Sequence, residues 1–326
     1  MGDTCVWLSH RSDHASFHGC DRTYTPQRAP YKAIFHDRVG FAALVAVLLP
    51  WLHSAAFPAV LALLAVLCGL AVALIVRLVG GSRATALLAA GLLFTVRDAT
   101  WLARVGSEAP ALLGILGVVA GLLGTSKRLA PRRFVALSVV SGVWLLAVRP
   151  STAVALGIAV LLVYGAKALA RREWATDARI AAVAAVAASA ITGEMQLRHS
   201  PGLTATLQDT FTHHFATVQM HSLRYEYGEL VTRTAASLGH GLIHHSLTPL
   251  LAIAGATLAV SVARLRPAAL CVILVAAASA VAHPVFTEIP RLLSPATSIE
   301  AIGFAIGASR VTTFTRRRRP SAAAKA

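Results

Sequence analysis

An all-α bundle of membrane-spanning helices, about nine or ten of them, is the fold class this sequence predicts, on three observations. The first is composition. Of 326 residues, 56% are hydrophobic and 13% charged, and the mean hydropathy is +0.66; soluble domains carry roughly twice that charged share. The second is that apolar runs recur at regular intervals from Val39 to about residue 308. The third is that basic clusters fall on every second connection between those runs, the pattern of membrane topology. A net charge of +16 raises the question of nucleic acid. The Lys and Arg residues are dealt out in short clusters rather than along one face, which argues for membrane lipid as the partner and against nucleic acid.

Residues 1–38 form a polar tail, mixed in charge and rich in His, without the apolar core of a signal peptide. Within it Cys5, His10, His14, His18 and Cys20 raise a metal reading, since the three His recur at intervals of four. The spacing fits no standard zinc pattern, so a loosely packed tail is expected there and no metal site. Residues 39–310 form the membrane domain. Its candidate segments are 40–52, 58–76, 84–96, 109–124, 134–148, 152–168, 180–192, 247–262, 267–281 and 297–308. Several fall short of the ~20 residues that span hydrocarbon unaided, so their helices must extend into less apolar sequence or sit where the bilayer is thin. Cys68 and Cys271 lie inside apolar runs and read as small core residues. Residues 193–245 make a long outer loop and 311–326 a basic tail.

Orientation follows from the charges. Arg77 and Arg83, then Lys127, Arg128, Arg132 and Arg133, then Lys167, Arg171, Arg172 and Arg179, then Arg264 and Arg266 alternate with connections that hold most of the acids. The basic connections, and the C-terminus with Arg316, Arg317, Arg318 and Arg319, are expected on the cytoplasmic face of the plasma membrane. The first segment admits two readings. If 40–52 spans, there are ten crossings and the tail is cytoplasmic; if it lies at the outer surface, where Trp51 suits the headgroup level, there are nine and the tail is outside.

The outer connections hold the candidate chemistry. Glu108 follows Ser107 at the start of a helix that is apolar through Gly124, with Pro110 tolerated in its first turn. An acid at a bilayer border must face water, a partner charge or a ligand, and the positive end of the helix dipole favours it there. In Ala147-Val-Arg-Pro-Ser-Thr152 two apolar runs meet at a tight turn whose only charge is Arg149, a rigid fork suited to phosphate. The passage His283-Pro-Val-Phe-Thr-Glu-Ile-Pro-Arg-Leu-Leu-Ser-Pro295 carries Glu288 and Arg291 among prolines that stop a helix, and irregular backbone at membrane depth belongs beside a cavity. The His-rich residues of 193–245 read as an interfacial cap.

Three passages together resemble the integral-membrane glycosyltransferases of the C superfamily (GT-C). They are Arg77-Leu-Val-Gly-Gly-Ser-Arg83 with the later Gly106-Ser-Glu-Ala-Pro110, then Ser141-Gly-Val-Trp-Leu-Leu-Ala-Val-Arg-Pro150, then Thr287-Glu-Ile-Pro-Arg-Leu-Leu-Ser-Pro295. Their order and sidedness agree over about residues 38–310. The resemblance implies a GT-C-like bundle and transfer of a sugar from a polyprenyl-phosphate donor to an acceptor on the outer face, with a divalent metal as the candidate cofactor.

The family's principal acid lies in the first outer loop, after the first span, and no span precedes residue 39 here. Asp21, in Cys20-Asp-Arg-Thr-Tyr24, resembles that acid, and Asp37 is a further candidate. Either a first helix lies upstream of Met1 or part of the site has been lost. The resemblance gives Asp21 the role of base, Glu108 that of second acid or metal-linked partner, and Arg149 and Arg291 the phosphate, with Glu288 beside them. The rival classes are a multi-pass transporter or lipid flippase, which should show a repeated half and charges near the bilayer centre, and a catalytically decayed transferase.

Overall fold

The computed structural model describes residues 39–95, 108–126, 131–171, 174–197, 222–244, 247–282 and 292–318, and these are helical, with no strand among the described residues. In chain order the helices are α1 (Val39–Leu52), α2 (Ala56–Leu78), α3 (Arg83–Thr95), α4 (Glu108–Ser126), α5 (Pro131–Val148), α6 (Pro150–Arg171), α7 (Trp174–Leu197), α8 (Leu223–His244), α9 (Leu247–Ser261), α10 (Arg266–Ala282) and α11 (Ser294–Arg318). Most run a few residues past the apolar cores legible in the sequence. Four stretches are long and apolar enough to cross a membrane: Gly40–Leu78, Glu108–Thr125, Pro150–Ala170 and Thr176–Leu197. Arg83–Thr95, Leu250–Ser261 and Arg266–Ala282 are apolar but shorter. The helical architecture and these stretches indicate a membrane protein.

Helix α4 is the centre of the bundle. Within its apolar stretch 78% of residues are buried, against 11% for Thr176–Leu197 of α7. Ile115, Leu116 and Val119 are wholly enclosed, and α4 lies between α2 and α5. It can sit so deep because it is lined with small residues. Gly114 abuts Leu145, Gly117 abuts Ser141, Gly121 abuts Ser138 and Gly124 abuts Phe134, and a Cβ at any of the four would strike α5. Small residues that let backbones approach are how helices adhere where lipid removes the hydrophobic driving force. Gly303 of α11 against Gly255 of α9 repeats the device. The outward faces are apolar instead of polar, as Val139, Val140 and Val143 of α5 and Leu162 and Leu169 of α6 show, which suits a lipid solvent.

The ends of the bundle sort consistently. The α2–α3 turn closes as a Schellman motif, with Gly81 N–H donating to Val76 O (2.9 Å), Gly80 N–H to Arg77 O (3.1 Å), and Gly80 at φ 94°. Ser82 then caps α3 by accepting from Thr85 N–H at 3.1 Å. Arg264, in the α9–α10 turn, lies beside Gly80, so these two basic turns share one end.

Helix α1 is joined to α2 through a sharp turn. Gly40 lies against Ala147 and Val148, while Cys68, midway along α2, donates its thiol to Ala109 O at 3.6 Å. Both contacts belong to the end where α4 begins and α5 stops. An unbroken helix from Gly40 to Cys68 would be roughly 42 Å long. The chain therefore turns back between them, at the 3₁₀ turn His53–Ala55, where His53 takes the left-handed φ of 49°.

The sequence expects a loop throughout 193–245, but Leu223–His244 is helical. Ser222 Oγ caps it by accepting from Tyr225 N–H (3.4 Å), and Glu229 pairs with Arg233 one turn on. Tyr227 donates its hydroxyl to Val281 O at 2.7 Å, which fastens α8 to the end of α10.

Candidate functional site

The site is built at three helix ends. Glu108 is the first residue of α4, and an acid there meets the unsatisfied N–H groups and the positive end of the helix dipole. Arg149 is the single residue between α5 and α6. Its N–H donates to Leu145 O (2.7 Å) and closes α5, while its carbonyl accepts from Thr152 N–H (3.0 Å) and Ala153 N–H (3.1 Å) and opens α6. Pro150 follows as the first residue of α6, where its missing N–H costs nothing. The corner is therefore fixed by backbone on both sides, and its guanidinium sits at the C-terminal, negative end of α5.

These two charges meet. Arg149 Nη1 lies 3.8 Å from Glu108 Oε1, with side-chain exposures of 16% and 7%. That is ion-pair distance but longer than a hydrogen bond. Trp144 Nε1 donates to Pro110 O at 2.8 Å, tying α5 to the first turn of α4, and Cys68 Sγ donates to Ala109 O from the other side. A fixed guanidinium beside a fixed carboxylate, shielded from water, can hold an anion on one side and a hydroxyl on the other.

Of the residues singled out in the sequence, Glu108 and Arg149 are brought together, although 41 positions of chain separate them. Asp21, Asp37, Glu288 and Arg291 lie outside the described residues. Among the described residues no three His, Cys, Asp or Glu side chains cluster as a metal would require. Among the described residues, one carboxylate already facing a guanidinium is a poor donor set for a divalent cation.

Sequence reasoning missed Trp144, whose indole orients the entrance of α4. The signal was available, because a Trp near an apolar helix end needs a partner for its N–H. It missed a second ion pair too. Lys167 Nζ donates to Asp177 Oδ1 at 2.8 Å, joining α6 to α7 at the opposite end, and the same ammonium lies 5.4 Å from the centroid of the Tyr164 ring. No protein-family model, curated protein or solved structure matches the chain.

Proposed function

We propose that the chain is a GT-C-like glycosyltransferase of the plasma membrane that moves a sugar from a polyprenyl-phosphate donor to an acceptor at the outer face. The observation that carries this reading is the meeting of Glu108 with Arg149 at a buried corner. The resemblance assigns both residues to one site, and they converge there from separate helices. The charge bias of the connections puts that corner outside. We take α1, which begins beside Val148, to lie at the outer surface, a reading that gives nine crossings and puts the segment of Asp21 on the side of Glu108.

In the reaction the acceptor oxygen attacks the anomeric carbon, the bond from that carbon to the phosphate oxygen breaks, and the acceptor proton passes to a carboxylate. The departing polyprenyl phosphate gains negative charge. Arg149, preorganised by its two backbone anchors, is placed to take that charge, with Arg291 as its proposed second cation. Glu108 keeps the guanidinium oriented and offers an acceptor to a sugar or acceptor hydroxyl. Asp21 remains the proposed base and Glu288 a proposed sugar contact.

The test is purified protein in lipid vesicles with a labelled polyprenyl-phosphate sugar. Consumption of the donor, with loss of consumption in Glu108→Gln, is expected. Movement of intact donor across the bilayer without consumption would overturn the reading in favour of a flippase.

A further inference from the structure

At the end of the bundle opposite Glu108, a groove of about 420 Å³ lies between α9 and α10, lined by Ala256, Thr257, Val260, Ser261, Arg266 and Ile273. Its wall is apolar and its mouth is cationic. Arg266 donates from Nε to Val260 O at 2.9 Å, which anchors the guanidinium beside the groove. Charge accumulates around it. Arg264 lies beside Gly80 of the neighbouring turn, Arg77 is held there by donating to Gly81 O (2.7 Å), and Arg83 follows; all four arginines are exposed. Neither 77–83 nor 260–268 contains an acid. The hydroxyls of Ser261 and Thr257 donate to Leu258 O (2.6 Å) and Ile253 O (2.7 Å), so toward the groove they present acceptors and leave anion binding to arginine.

We propose that this groove binds an anionic phospholipid of the adjacent leaflet, its phosphate on Arg266 and one acyl chain along Ala256, Val260 and Ile273. Charge complementarity selects the headgroup. A basic mouth between helices at a membrane border concentrates anionic lipid by electrostatics that a zwitterionic headgroup lacks. The apolar wall selects a lipid over a free phosphate, because a soluble anion would gain the arginine and leave the wall uncovered. Ser261 Oγ is placed to accept from a glycerol headgroup hydroxyl, which makes phosphatidylglycerol the fitting probe. The site lies at the other end of the bundle from the proposed transfer chemistry and does not depend on it.

The experiment is native mass spectrometry of the delipidated full chain in neutral detergent, titrated with phosphatidylglycerol and with phosphatidylcholine of identical acyl chains. Phosphatidylglycerol is expected to bind about tenfold more tightly. Arg264→Gln with Arg266→Gln is expected to abolish that preference, while Arg132→Gln with Arg133→Gln, on another basic turn, leaves it intact. Thr257→Phe fills the groove without changing charge and is expected to weaken binding of both lipids. Equal affinity for the two lipids, or equal loss in the two arginine pairs, overturns the proposal; so does tight phosphatidylglycerol binding by Thr257→Phe.

Discussion

Lys167 and Asp177 close to 2.8 Å at one end of the bundle, whereas Glu108 and Arg149 stop at 3.8 Å at the other. The two pairs are similarly buried, so their difference lies in what fixes them. Asp177 and Lys167 sit near the facing ends of one helical hairpin and find each other directly, which fastens α6 to α7. Glu108 and Arg149 come from three helix ends whose backbones are already anchored, by Trp144 on Pro110 and by Arg149 N–H on Leu145. A pair that makes its own hydrogen bond is a fastener. A pair whose backbones are anchored on both sides holds its charges preorganised, which is what a developing negative charge needs.

The largest contrast is expected between the two carboxylates. Glu108→Gln keeps the size and removes the charge, and donor consumption in vesicles should fall about a thousandfold, the range of a lost acid–base or electrostatic partner. Its melting temperature should fall less than that of Asp177→Asn, because the Glu108–Arg149 pair stands at 3.8 Å, beyond hydrogen-bond length. Asp177→Asn should behave in the opposite sense. It leaves Lys167 facing a neutral amide and costs about 2 kcal/mol, less than a fully buried pair because 24% of the Lys167 side chain stays exposed. That loss is read as a lower unfolding midpoint, with the transfer rate per folded molecule preserved. Equal behaviour of the two variants would erase the distinction.

A smaller effect tests the scaffold between them. Trp144→Phe removes one hydrogen bond to Pro110 and keeps most of the packing, a loss of about 1 kcal/mol in stability. Because that bond orients the entrance of α4, transfer should fall further than stability alone explains, by roughly tenfold. An unchanged rate in the folded Trp144→Phe protein would show that the corner at Arg149 positions the charges by itself.

Much of this was legible in the sequence where the signal is local. Apolar runs located the helices, and the tight turn at Arg149-Pro150 and the acid at Glu108 stood out because charge at an apolar helix end is costly. Their convergence was not legible from spacing, since it depends on Gly114, Gly117, Gly121 and Gly124 drawing α4 onto α5. The turn-back at His53 escaped composition because both sides of it are apolar. Leu223–His244 escaped as well. Its sequence is much less apolar than the membrane runs, so nothing there marks a span, and local caps and an i,i+4 pair hold the helix together. Asp177 is masked in the sequence by the basic residues around it, Lys167, Arg171, Arg172 and Arg179, which read together as one cluster.

The most direct measurement exchanges the charges at the site. In the double variant Glu108→Arg with Arg149→Glu, stability and donor consumption are followed in the same preparation, beside each single variant. The account predicts that the melting temperature recovers relative to the single variants while consumption stays lost, because the ligand must find a cation at 149 and an acid at 108. Recovery of both together would contradict it and leave the pair as a second fastener.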